Sequence, residues 1–118
     1  MYDKALSAFE KAIENNFDDS ELYFYAAVCL LKGKKAFLAK RETINKVEEY
    51  INAARAIENR GIYAYFHAYV KYDYFERKCL ITEPDYTALL DEAKQLGVPE
   101  HDIGVLYGLL NTDRPSEL

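Results

Sequence analysis

The sequence predicts an all-α domain of about six helices arranged as antiparallel pairs. Three observations carry this. Apolar residues recur at helical spacing along almost the whole chain. No stretch alternates apolar and polar residues with period two between turn residues, so strands are not expected. Gly33, Gly61, Gly97, Pro84 and Pro99 fall as punctuation between the periodic runs. A chain of 118 residues is one domain, and could be part of a larger protein. At this size folding buries roughly 65% of the surface of the unfolded chain, enough for one continuous core.

The first helix spans about Tyr2 to Asn16, with Ala5, Phe9, Ala12 and Ile13 on one face. Asn15-Asn16-Phe17-Asp18-Asp19-Ser20 is a turn, in which Asp18 or Asp19 can cap the next helix by accepting from its free N–H groups. Asp18 and Glu21 also have capping-box spacing, with Asp in place of Ser or Thr. The second helix, Ser20 to Lys32, turns Leu22, Tyr23, Ala26, Ala27 and Leu30 inward and stops at Gly33, which takes left-handed backbone readily. The third begins between Phe37 and Thr43 and ends near Glu58, with Ile44, Val47, Ile51, Ala54 and Ile57 as its stripe; Asn59-Arg60-Gly61 closes it. The fourth, Ile62 to Leu80, is crowded with aromatics and ends before Glu83-Pro84-Asp85, because the residue preceding proline is pushed out of helical geometry. Asp85 caps a fifth helix that turns Tyr86, Leu89, Leu90, Ala93 and Leu96 inward and ends at Gly97. Pro99 suits the first turn of a sixth helix, whose apolar side is Ile103, Leu106, Tyr107 and Leu110. Thr112 to Leu118 reads as a frayed, flexible tail.

Composition narrows the function. A net charge of −5 disfavours a phosphate backbone, so nucleic acid is not expected as a partner. The densest basic run, Lys32, Lys34, Lys35, Lys40 and Arg41, is followed at once by Glu42 and reads as a solvated face. Cys29 and Cys79 form no CxxC pair and no Cys/His cluster; they read as buried thiols in a reducing, cytoplasmic setting. No run of 18 apolar residues is present, so no membrane span is expected, and the N-terminus lacks the apolar core of a signal peptide. There is no nucleotide-binding glycine loop, zinc-protease, serine-hydrolase or EF-hand string. Carboxylate pairs such as Glu48/Glu49 and Asp91/Glu92 lie in polar segments, whereas general acid–base work needs a partly dry cleft. No enzymatic activity, cofactor or metal is therefore expected.

A shift of 42 residues aligns the chain with itself: Lys4 falls on Lys46, Ala12 on Ala54, Tyr23 on Tyr65, Phe24 on Phe66, Ala26 on Ala68 and Val28 on Val70. Tyr2-Asp3-Lys4-Ala5-Leu6-Ser7-Ala8-Phe9-Glu10-Lys11-Ala12 resembles the second helix of the tetratricopeptide repeat unit, which reads Tyr-x-x-Ala-x-x-x-Phe/Tyr-x-x-Ala. Tyr23, Ala26, Ala27 and Leu30 fit its first helix; Tyr65, Ala68, Tyr69 and Tyr72 fit it less well, because Tyr69 occupies a small-residue position. The chain departs from the family at Phe17 and Asn59, where a proline is usual, and by about eight residues beyond the 34-residue unit between Gly33 and Val47. It also opens on a second-type helix, which implies a longer protein or an interface at this end.

The resemblance implies a short right-handed superhelix and a non-catalytic adaptor that binds a protein or peptide. In the family the first helix of each unit lines the concave groove. Carried onto this chain, the groove residues are Glu21, Phe24, Tyr25, Val28, Leu31 and Lys32 from one unit. The other unit supplies Tyr63, Phe66, His67, Val70, Asp73 and Tyr74. Glu21, Lys32 and Asp73 would set orientation from the rim. The lysine/asparagine clamp that some members use on acidic tails is not expected, since Tyr25 and Val28 stand at the matching positions. Two further readings stay open. Aromatics surround the fourth helix, and a helix apolar on every side is usually buried on every side; Tyr65, Ala68 and Tyr72 are the first choices for core. The domain could equally be a spacer or a homo-oligomerisation unit, such as a homodimer.

Overall fold

The computed structural model describes residues 1–118 as six α-helices with no strand: α1 (Tyr2–Asn15), α2 (Ser20–Leu30), α3 (Arg41–Ile57), α4 (Gly61–Val70), α5 (Tyr86–Leu96) and α6 (Glu100–Leu110). Short links join α1 to α2, α3 to α4 and α5 to α6, and such links turn the chain back on itself. The three links lie together at one end of the bundle, called the turn end. The opposite end, the loop end, holds residues 31–40 and 71–85. Contacts confirm this sense: the Tyr2 ring lies beside Gly33, Lys32 pairs with Asp3 at 3.1 Å, and Tyr72 packs edge-on against Tyr86. The helix ends repeat along the chain, since α1 closes at Asn15 and α3 at Ile57, 42 residues apart.

Local chemistry explains most boundaries. Asp19 accepts from the Glu21 N–H at 3.1 Å and caps α2, and Asp85 accepts from the Ala88 N–H at 3.0 Å and caps α5. Gly97, at φ +88°, ends α5 in backbone that other residues adopt only with strain. Pro99 stands just before α6 instead of within its first turn. The third helix, expected to begin between Phe37 and Thr43, begins at Arg41, and a separate 3-10 turn at Ala36–Leu38 precedes it. The fourth helix also differs. It leaves α geometry at Lys71, continues as a π-helical turn, Lys71–Glu76, and stops short of Leu80.

α4 is the centre of the molecule: every residue from Gly61 to Val70 is buried. α3 and α5 flank it, and α6 packs along α2 and α4, its first turn near theirs and its last near residues 31–33. At the turn end His101 and Asp102 of α6 stand by Glu21 and Arg60. At the loop end Tyr2 donates to the Leu109 carbonyl at 3.3 Å and Asn111 to the Gly33 carbonyl at 3.4 Å. Covering both faces is what a helix as uniformly apolar as α4 requires. The core is aromatic. Phe24 meets Tyr63 at 5.1 Å and Phe66 at 5.7 Å, and Tyr107 of α6 stands edge-on to Tyr65 and Tyr69. The buried hydroxyls are partnered, Tyr63 with Ser20 at 2.9 Å and Tyr65 with Tyr107 at 3.1 Å. Burial and the Tyr65 hydroxyl push the Tyr107 pKa far above the ordinary tyrosine value.

The structure departs from two further expectations. The tail does not hang free: Leu118 is buried, its carbonyl accepts from Tyr65 at 3.3 Å, and Arg114 bridges to Glu100 at 2.8 Å. Only Cys29 is a buried thiol, its pKa raised by burial; Cys79 is exposed, on left-handed backbone at φ +57°. No helix is long and apolar enough to cross a membrane.

Gly61 shows how tightly α4 is seated. A Cβ there would meet the Gly97 carbonyl oxygen at 2.3 Å and Val98 Cγ2 at 2.9 Å. Both obstacles belong to the α5–α6 link, and one is backbone. Gly61→Ala is therefore expected to cost about 1–3 kcal/mol, against the usual gain from removing a helical glycine. A urea denaturation midpoint equal to or above wild type would show that the link yields freely.

Candidate functional site

The structure disperses the residues expected to line one groove. Phe24, Val28, Phe66 and Val70 are core side chains, as is Leu31. Tyr63 is buried with its hydroxyl on Ser20. His67 faces Glu48 on the α3 side. Asp73 and Tyr74 are buried at the loop end. Lys32 is exposed and ion-paired to Asp3. For Phe24 and Tyr63 the physical reason is α6, whose Leu106 lies beside them where α2 and α4 would otherwise meet solvent. Of the expected groove residues outside the core, Glu21 and Tyr25 remain accessible beside α6.

They belong to a slot of about 250 Å³ between α2, the start of α4 and α6. Phe24 and Tyr25 form one wall, Ile62 and Tyr63 the floor, and Val105, Leu106 and Leu109 the opposite wall. Val105 is 47% exposed and Leu109 38%, so the α6 wall is apolar surface facing solvent. Tyr25 is held in place by Phe9, whose ring stacks on it at 5.6 Å with an interplanar angle of 22°. The mouth carries both charges. Glu21 and Asp102 supply carboxylates; Arg60 supplies a guanidinium already bonded to the Tyr63 hydroxyl at 3.3 Å. Sequence reading missed Val105 and Leu109 because they fall off the inward stripe of their helix. Their signal was the apolar run around Gly104 and Gly108, which leaves α6 apolar on a second side.

A second, polar pocket of about 390 Å³ lies between α3, α4 and α5. Glu48 sits at its centre. Its Oε2 accepts from Lys71 Nζ at 2.7 Å and lies 2.6 Å from His67 Nε2. Lys71 also donates to the Thr82 hydroxyl at 2.7 Å, and its ammonium lies 4.5 Å from the centre of the Phe75 ring. Burial acts to raise the Glu48 pKa, but the hydrogen bonds from His67 and Lys71 outweigh it and hold the carboxyl below its ordinary value. Arg55 and Glu92 close the outer side as an ion pair. His67 Nδ1 is enclosed without a partner. Glu48 pairs with Lys71 and His67, and Arg55 with Glu92, while Glu83 stands unpaired at the rim, and no serine, threonine or cysteine lines the pocket. It ties α3, α4 and the 77–85 loop together.

Asp73 does comparable work at the loop end. It accepts from the Phe37 N–H at 2.8 Å and from Arg77 at 2.7 Å, so the π-helical turn pins the lysine-rich loop. The Tyr69 hydroxyl accepts from the Ala36 N–H at 3.2 Å. Burial raises the Tyr69 pKa to about 12. No three His, Cys, Asp or Glu residues cluster as metal ligands. Comparison with protein families, characterised proteins and solved structures returns no match.

Proposed function

We propose that this domain is a non-catalytic binding module of tetratricopeptide-like construction, and that it holds one large apolar side chain of a partner protein or peptide in the slot between α2, α4 and α6. The carrying observation is the solvent-facing apolar wall of Val105 and Leu109 opposite the stacked Tyr25. An amphipathic rim around an apolar recess suits an anchor residue, since aromatic and aliphatic side chains in desolvated recesses dominate interface energies. The recurrence of helix ends at 42 residues supports a repeat reading. So does the place of α6, which lies where the resemblance puts a ligand. Unpaired cysteines suit a reducing, cytoplasmic setting.

Panning a displayed peptide library against the domain tests this. The selected peptides are expected to share a leucine, methionine or phenylalanine, and Val105→Glu is expected to weaken their binding about tenfold or more, equivalent to ~1.4 kcal/mol. Val105 is exposed, so the thermal melt of that variant should match wild type. Selected peptides that bind Val105→Glu as well as wild type would place the site elsewhere.

A further inference from the structure

We propose that the domain associates head to tail with copies of itself, the Phe17 turn of one copy entering the lysine-lined cavity at the opposite end of the next. The two surfaces lie at opposite ends of α2. The α1–α2 turn is at the N-terminal end, and the cavity is beyond the C-terminal end. An 11-residue helix spans ~16 Å. Charge is sorted along this axis. No cation occurs between Lys11 and Lys32, and no carboxylate between Glu21 and Glu42. Within this segment the turn end carries Glu14, Asp18, Asp19 and Glu21, the last beside Arg60 at 3.7 Å, and the loop end carries Lys34, Lys35 and Lys40 together with Lys32, which is paired to Asp3. Opposite potentials on two faces of one chain favour joining unlike ends.

Shape agrees with charge. Phe17 is 73% exposed at the tip of the acidic turn. The turn is held beneath it by the Tyr23 hydroxyl, which donates to the Phe17 carbonyl at 3.2 Å, and by the Asp19 cap on α2. The receiving cavity is large, about 810 Å³, and has both chemistries the turn needs. Leu38, 67% exposed, and the half-buried Phe37 offer apolar surface for Phe17, while Lys34 and Lys35 stand beside a single lining carboxylate, Asp113, with Arg77 already paired to Asp73. Lys34 and Lys35 make no ion pair within the chain, so their charges are free for a partner. Their backbone is already ordered. Tyr69 and Asp73 hold Ala36 and Phe37, and the Arg77 guanidinium lies 4.3 Å from the centre of the Phe37 ring. A site preformed in this way loses little entropy on binding. Exposed lysines around Leu38 would also suit an anionic membrane, but a recess receives a protruding turn better than a flat bilayer.

Donor and acceptor surfaces differ, so the contact is heterologous and extends into open chains instead of closing as a two-fold dimer. It uses none of the slot, and Val105→Glu should leave it intact. Sedimentation velocity over a concentration series is the test. In about 20 mM salt the wild-type mass is expected to rise above the 13.6 kDa monomer with concentration, and in about 500 mM salt to fall back, because exposed ion pairs are screened. Phe17→Ala, and separately the double variant Lys34→Glu/Lys35→Glu, are expected to stay monomeric. Mixing the two should restore a two-chain species and nothing larger, since each supplies the surface the other lacks. A wild type that is monomeric throughout, variants that associate as wild type does, or a mixture that stays monomeric would each overturn the proposal. If the monomeric wild type instead bound phosphatidylserine vesicles through Lys34 and Lys35, the cavity end would be a membrane surface.

Discussion

Phe66→Ala is expected to lower the free energy of unfolding by about 3–5 kcal/mol, a large share of the total for a domain of this size. Phe66 is 0% exposed, at the centre of α4, with Phe24 edge-on at 5.7 Å and Tyr69 stacked at 6.5 Å. The lost ring leaves a cavity that the neighbours cannot easily fill. α4 is gripped by α3 and α5, contacted by α6, and abutted at Gly61 by the α5–α6 link. Tyr25→Ala, at a half-buried ring whose partner is the half-buried Phe9, is expected to cost about 1 kcal/mol, in the range of a surface-adjacent substitution. The urea midpoints of the two variants, at unchanged m-value, make the comparison. A Phe66→Ala midpoint near that of wild type, with loss of peptide binding, would return Phe66 to a binding groove.

The existence of the helices was legible in the sequence because the apolar period and the caps agree. Asp19, Asp85 and Gly97 act in the structure as their chemistry requires. Less legible was what lies against what. Periodicity states which face of a helix is apolar, not which neighbour covers it. α2 illustrates this: Ala26 and Ala27 of its expected packing set and Phe24 and Val28 of its expected groove set are all buried, Phe24 against Tyr63 and Phe66 of α4. A signal existed. The stripe of Ile103, Leu106, Tyr107 and Leu110 needs an apolar surface, and the open faces of α2 and α4 were available to receive it. The π-helical turn had no such signal, since Lys71–Glu76 continues the helical pattern. The tail's burial rests on one residue, Leu118, reaching the Tyr65 hydroxyl. Lys71 was the overlooked marker of the polar pocket: a lone cation in the run from Gly61 to Tyr72 is rarely buried unless paired.

That pairing sets up the second large effect. Glu48→Gln is expected to cost about 3–5 kcal/mol, because it leaves the buried Lys71 ammonium without an anion, facing only neutral acceptors, the substituted amide oxygen and the Thr82 hydroxyl, and the Phe75 ring. Adding Lys71→Met should recover a large part of the loss, since removing both charges also removes the uncompensated one; the outer Arg55–Glu92 pair stays in place. A double variant no more stable than Glu48→Gln would mean that the carboxylate acts chiefly by shape. Acid behaviour separates the same possibilities. The folded chain holds the Glu48 pKa below its ordinary value, so the unfolded chain takes up that proton more readily. The contribution of Glu48 is therefore complete above about pH 5, beyond the ordinary glutamate value of ~4.3, and fades as pH falls through the lower folded value. Wild type should lose stability more steeply than Glu48→Gln below about pH 4, and the two curves should converge there. Parallel curves would show that the carboxylate is not held ionised by His67 and Lys71, and the polar pocket would then owe its order to the ring and hydroxyl contacts around Lys71.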